Sequence, residues 1–92
     1  MIIEVKQKHI RKGIQESPCH CPIALALKEH LDIREDEYVS VDDDEIFVEN
    51  SDGQRIRSYR PTKRVVQFIE RFDHKGKKSI KPTTFKLERA DR

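Results

Sequence analysis

Glu45-Ile46-Phe47-Val48-Glu49-Asn50-Ser51-Asp52-Gly53-Gln54-Arg55-Ile56-Arg57-Ser58-Tyr59 reads as two short strands joined by a tight turn. Ile46 and Val48 alternate with Phe47, so one face of the first strand is apolar. Asp52-Gly53 supplies the positive φ that a hairpin turn demands. On the return strand, strict alternation places Ile56 with Gln54 and Ser58 on one side. It places Arg55, Arg57 and Tyr59 on the other. Upstream, Tyr38 to Val41 is a third alternating run, with Val39 and Val41 inward, and Asp42-Asp43-Asp44 is the turn between. Three consecutive strands with short connections make an antiparallel meander.

Helical periodicity flanks the meander. Pro22 to Leu31 carries Ile23, Ala26, Leu27, His30 and Leu31 at i, i+3, i+4, i+7 and i+8. Cys21 is the expected N-cap and Pro22 suits the first helical position, where its missing N–H costs nothing. Leu25 lies off the stripe, so this helix is expected to be covered on more than one side. After the meander, Arg60-Pro61-Thr62 opens a second helix with Arg60 or Thr62 as cap, and Val65, Phe68, Ile69 and Phe72 form its apolar stripe. His74 and Lys75 complement its dipole and Gly76 ends it. Ile2 to Lys6 is a first strand, Gln7 to Lys12 a single helical turn stopped by Gly13, and Thr83 to Leu87 a last strand with Phe85 and Leu87 inward. The expected fold is α+β: a small antiparallel sheet with elements in the order β-α-β-β-β-α-β and two helices on one face. Residues 1–92 make one domain, since 92 residues suffice for one core and not two. Residues 88–92 are expected to fray, and the first and last strands to pair.

Charged residues make up 39% of the chain, with a mean hydropathy of -0.83, yet the apolar residues are periodic, which argues against disorder. No run approaches the roughly 20 apolar residues of a membrane span. Met1 to Lys6 lacks the long apolar region of a signal peptide, so a cytoplasmic location is expected. The formal net charge of +2 hides a division. Lys28 to Asp52 holds eleven acidic and two basic residues; Gly53 to Arg92 holds thirteen basic and four acidic. Such asymmetry bears on association. It suits an anionic partner on the basic half, head-to-tail self-association into a homo-oligomer, or internal pairing.

His9-Ile10, Gly13, Cys21-Pro22-Ile23-Ala24-Leu25-Ala26-Leu27, Tyr59-Arg60-Pro61, Phe68-Ile69-Glu70-Arg71-Phe72-Asp73, Pro82 and Phe85-Lys86-Leu87 are spread over nearly the whole chain. In these the chain resembles a family of small, mostly uncharacterised bacteriophage and prophage proteins. The resemblance implies a phage accessory protein in a bacterial host cytoplasm, and carries no catalytic residue set. Small accessory proteins of this kind act by binding, which extends by analogy to anti-defence roles: blocking a host protein or sequestering a nucleotide-like signal.

The candidate chemistry lies in two places. Cys19-His20-Cys21 precedes the first helix, where a thiol would feel the positive end of the dipole. Cys-x-Cys is too tight for the usual zinc knuckle and no second pair exists, so no metal is expected. A small buried thiol is the plainer role for Cys21. Asp42-Asp43-Asp44-Glu45 lacks the ligand spacing of a calcium loop and is expected to be a solvated turn. His30, on the apolar stripe of its helix, is expected to be a core or boundary histidine. The second place is the junction of strand and second helix, where Arg55, Arg57, Tyr59, Arg60, Lys63 and Arg64 gather. Arg binds phosphate bidentately and Tyr offers a ring for a base. Lys63 and Arg64 also sit at the unfavourable end of a helix dipole, which points either to a bound anion or to pairing with the acidic half of this or a second chain.

The sequence therefore predicts a non-enzymatic binding protein without a cofactor. Its ligand is a small nucleotide-like anion, or its partner a host protein, held at Arg55, Arg57, Tyr59, Arg60, Lys63 and Arg64. Nucleic-acid binding through the same residues and the Lys75-to-Lys81 loop is the alternative. A thiol- or metal-dependent enzyme built on Cys19, His20 and Cys21 is the third.

Overall fold

The computed structural model describes residues 1–90. Its elements are β1 (Ile2–Val5), α1 (Gln7–Lys12), α2 (Pro22–Leu31), β2 (Tyr38–Val41), β3 (Ile46–Glu49), β4 (Arg55–Arg60), α3 (Lys63–Lys75), a 3-10 turn (Lys77–Ser79), β5 (Thr83–Lys86) and β6 (Glu88–Arg89). The fold is α+β. The strands divide into two antiparallel sheets, β1-β5 and β2-β3-β4-β6.

The carboxy-terminal strand explains why there are two sheets. Thr83–Lys86 pairs with β1, setting Ile3 opposite Phe85 and Val5 opposite Thr83. The chain then crosses at Leu87, whose N–H donates to the Met1 carbonyl at 2.8 Å. Glu88–Arg89 pairs with β4, and the Ala90 N–H donates to the Ser58 carbonyl at 2.9 Å. Residues 88–89 are therefore strand, where fraying was expected, because β4 offers them a free edge. Residues 91–92, the rest of the expected tail, lie outside the described residues. The two strands expected at Ile2 to Lys6 and Thr83 to Leu87 do pair, as β1 and β5.

One apolar cluster joins both sheets and α1, α2 and α3. Ile3, Val5, Ile10, Ile23, Leu27, Val39, Ile46, Val48 and Val65 are fully buried within it. On α2, Ala24 is buried and Leu25 half-buried, so this helix is covered on several sides, as its off-stripe leucine predicts. His30 is exposed, in neither the core nor its boundary, whereas the next residue, Leu31, is half-buried against the core.

Helix ends follow local chemistry. Cys21 caps α2: its Sγ accepts from the Ala24 N–H at 3.4 Å. Thr62, and not Arg60, caps α3, its Oγ1 accepting from the Val65 N–H at 3.3 Å. Gly76 ends α3 at φ 87°, where a side chain would be strained. Gly13 ends α1 with an ordinary extended backbone, φ −66° and ψ 151°. Its lack of a side chain serves packing, because a Cβ there would lie 2.7 Å from Cδ and Cγ of Pro22. The loop after it is clamped onto α3. Gln15 Nε2 donates to the carbonyls of Phe72 and Asp73 at 3.0 and 3.1 Å, and the Glu16 N–H donates to Asp73 Oδ1 at 2.9 Å. Glu16 adopts a left-handed φ of 58° to make that contact.

Candidate functional site: a cationic groove beside the carboxy-terminal helix

The six residues predicted to form a site do not converge. A bulge between Val48 and Glu49 shifts the β3–β4 register by one residue. Tyr59 opposes Ile46 and Arg57 opposes Val48, whereas Arg55 opposes Glu49. Arg55 thereby leaves the face of Arg57 and Tyr59 and joins that of Phe47. Its guanidinium carbon lies 4.1 Å from the Phe47 ring centroid and the group is paired with Glu45. Tyr59 is 4% exposed and belongs to the core, so its ring offers no stacking platform. Arg57 is exposed and lines a hollow of about 390 Å³ with Arg55, Arg89 and Glu45. Arg60 and Lys63 are exposed.

Arg64 takes part in a different arrangement. It stands on the flank of α3 that faces β5. Its Nη2 lies 3.3 Å from Thr83 Oγ1, its Nη1 3.5 Å from the Thr84 carbonyl, and its guanidinium carbon 5.3 Å from the Phe85 ring centroid. These contacts are neutral, and among the described residues no ion pair includes Arg64. Arg71, seven residues on, lies on the same helical stripe, and Phe68 stands between them. The facing wall is the segment from Ser79 to Thr83. Ser79 Oγ donates to the Arg71 and Gly76 carbonyls at 3.2 and 2.7 Å, which fixes that segment against the end of α3.

The result is a groove of about 350 Å³. Arg64, Arg71 and Lys81 supply cations to its walls; Gln67, Ser79 and Thr83 supply neutral polar groups. Phe68, Ile80 and Phe85 form its floor, with Phe68 and Phe85 in edge-to-face contact at 5.2 Å. Among the described residues, ion pairs join Lys8 and His9 to Glu29 and Arg55 to Glu45; none includes Arg64, Arg71 or Lys81. Of the three cations, the sequence reading included Arg64 among its candidates and Lys81 in the Lys75-to-Lys81 loop of the nucleic-acid alternative, but not Arg71. The signal was available: Arg64, Phe68 and Arg71 stand at i, i+4 and i+7.

Across α3 the charge reverses. Glu16, Asp42, Asp43, Glu70 and Asp73 border a cleft of about 360 Å³ floored by Cys21, Val41 and Ile69, with His74 at its rim. Partial burial and the neighbouring Asp44, Asp43 and Glu45 push the Asp42 carboxyl above its ordinary range. Among the described residues no three His, Cys, Asp or Glu side chains gather closely enough to hold a metal ion.

The two thiols differ in exposure. Burial pushes the Cys21 thiol up to about 11, away from the depressed value a nucleophile needs. Cys19 is half-exposed, and its carbonyl accepts from Lys28 Nζ at 2.9 Å. Ser17 Oγ and His20 Nδ1 lie 3.1 Å apart in the same loop, a pairing the sequence did not announce.

Among the described residues, no helix is long and apolar enough to cross a membrane. Compared with known proteins, the chain matches no family model, no curated protein and no solved structure.

Proposed function

We propose that this chain is a non-enzymatic binding protein that captures a small nucleotide-like anion in the groove between α3 and β5. One observation carries the reading. Three cations, Arg64, Arg71 and Lys81, border one concavity over an apolar floor, free of ion pairs among the described residues. Like charges so placed repel each other, and an anion between them removes that cost. The groove's size falls within the range of small-molecule sites. Arg provides bidentate phosphate contacts, Gln67, Ser79 and Thr83 provide neutral hydrogen bonds, and the floor accepts the apolar face of a sugar or base. In the phage setting that the sequence resemblance implies, the protein would work in a bacterial cytoplasm. There it would keep such a signal from a host defence.

Titration calorimetry with a panel of nucleotides tests this. The intact protein is expected to bind at least one nucleoside phosphate. Arg71→Ala or Lys81→Ala is expected to weaken it about ten-fold or more, the loss of one charge-assisted contact. Arg55→Ala should change it little, since that guanidinium is already committed to Glu45. A panel without any binder, or a loss on Arg55→Ala with none on Arg71→Ala, overturns the reading.

Nucleic-acid binding is the second reading. Lys75, Lys77 and Lys78 are exposed and adjoin the Arg71 end of the groove in the chain, and would extend the track for a longer strand.

A further inference from the structure

We infer that the ligand carries two separate phosphates, one for each end of the groove, with a sugar–base unit between them. This rests on the nucleotide-capture reading and specifies its ligand class as a dinucleotide or nucleoside bisphosphate.

The groove has two poles. Arg64 and Arg71 are seven residues apart on one helix, which separates their backbones by roughly 10 Å along the axis. Long side chains can close such a gap, but Arg64 is directed elsewhere. Its guanidinium lies over Phe85, with Nη2 3.3 Å from Thr83 Oγ1 and Nη1 3.5 Å from the Thr84 carbonyl, which fixes it at the β5 end. Arg71 is rooted two turns further along the helix, at the end where its backbone carbonyl accepts from Ser79 Oγ at 3.2 Å, and it lines the same groove. Phe68 stands between the two on the helix, and Ile80 of the facing segment adds apolar lining to the same groove. A lone phosphate occupies one pole and leaves the other cation without an anion. A ligand with phosphates on both sides of a nucleoside satisfies both and covers the apolar middle.

The two-pole arrangement also predicts how binding fails. With one guanidinium removed, a bisphosphate retains the other contact and behaves like a monophosphate. Calorimetry of the full chain with inorganic phosphate, a nucleoside 5′-monophosphate and the matching 3′,5′-bisphosphate reads this directly. The bisphosphate is expected to bind about ten-fold or more tighter than the monophosphate. Arg64→Ala and Arg71→Ala, each confirmed folded by circular dichroism, are each expected to bring the bisphosphate to the monophosphate level. Arg64→Lys, which keeps charge but loses the fork, should fall between. Equal affinity for mono- and bisphosphate overturns the two-phosphate inference and leaves nucleotide capture standing. A panel with no binder overturns both. Affinity that keeps climbing with each added nucleotide overturns the inference in favour of an extended nucleic-acid site.

Discussion

Cys21 shows how much a single residue's role depends on where its neighbours put it. A thiol at a helix N-terminus is in the position from which many catalytic cysteines act, because the dipole favours thiolate. Here Ile23, Ala24, Leu27 and Val41 belong to the same apolar cluster, the residue is 3% exposed, and desolvation outweighs the backbone N–H groups that favour charge. With its thiol held near 11, the thiolate fraction at mild alkaline pH is on the order of one in a thousand. The Sγ works as a cap, accepting from the Ala24 N–H. A disulfide-exchange reagent added to the folded protein at about pH 8 is expected to modify Cys19 promptly and leave Cys21 intact until the chain unfolds. Mass spectrometry of the labelled protein counts the two sites. Rapid native labelling at Cys21 would show that the cap is not closed.

At the scale of one element, α1 carries its own pH dependence. The Lys6 N–H donates to His9 Nδ1 at 2.8 Å, which places the remaining ring proton on Nε2. Nε2 lies 3.3 Å from Glu29 Oε1 without the alignment of a hydrogen bond, and the side chain is 6% exposed. Burial lowers the His9 pKa, against the attraction of Glu29 and with help from Lys8 and Lys6. Below its ordinary value of 6.5 the unfolded chain takes up a proton that the folded chain refuses. Stability therefore falls as pH drops from about 6.5 toward the lower folded-state value, and this contribution levels off beneath it. Asp42 acts in the opposite sense and lower on the scale: its raised carboxyl takes a proton first in the folded state, which stabilises the fold as pH falls toward 3.8. Urea midpoints measured across pH 5 to 7 are expected to rise with pH, and His9→Asn is expected to flatten the curve.

The elements themselves were legible where local rules govern them. Asp52-Gly53 marked the hairpin, Cys21-Pro22 the start of α2, and Val65, Phe68, Ile69 and Phe72 the buried stripe of α3. The predicted grouping of Arg55 with Arg57 and Tyr59 comes apart where a non-local feature intervenes. One extra residue in β4, Ile56, moves Arg55 to another face, and strict alternation counted along β4 does not register a bulge that only its pairing with β3 reveals. Gly13 was identified as a helix stop by its residue type, yet its backbone is extended and its reason is Pro22, nine residues away. Likewise Arg71 lines a groove only because the segment from Ser79 to Thr83 folds back alongside it, a contact between segments that sequence periodicity does not express.

The whole molecule keeps opposite charges on the two flanks of α3. The groove of Arg64, Arg71 and Lys81 adjoins Phe68, and the cleft of Glu16, Asp42, Asp43, Glu70 and Asp73 adjoins Ile69, the next residue along the helix. A short anion fits the first flank without meeting the second. A long polyanion that leaves the groove toward the acidic cleft meets five carboxylates, and that repulsion offsets whatever Lys75, Lys77 and Lys78 contribute. Affinity is therefore expected to reach a plateau with oligonucleotide length once the groove is filled. Its logarithm should decline with log salt at a slope set by two or three cations, about −1.4 to −2.1 for a single strand. Raising salt toward 1 M shrinks the Debye length to about 3 Å and should leave only the contacts made inside the groove. Fluorescence anisotropy with labelled strands of increasing length, at several salt concentrations, measures both quantities. A slope several-fold steeper, with affinity still rising at ten nucleotides, would mean that the cations outside the groove engage the strand as well. The acidic flank would then fail to confine binding.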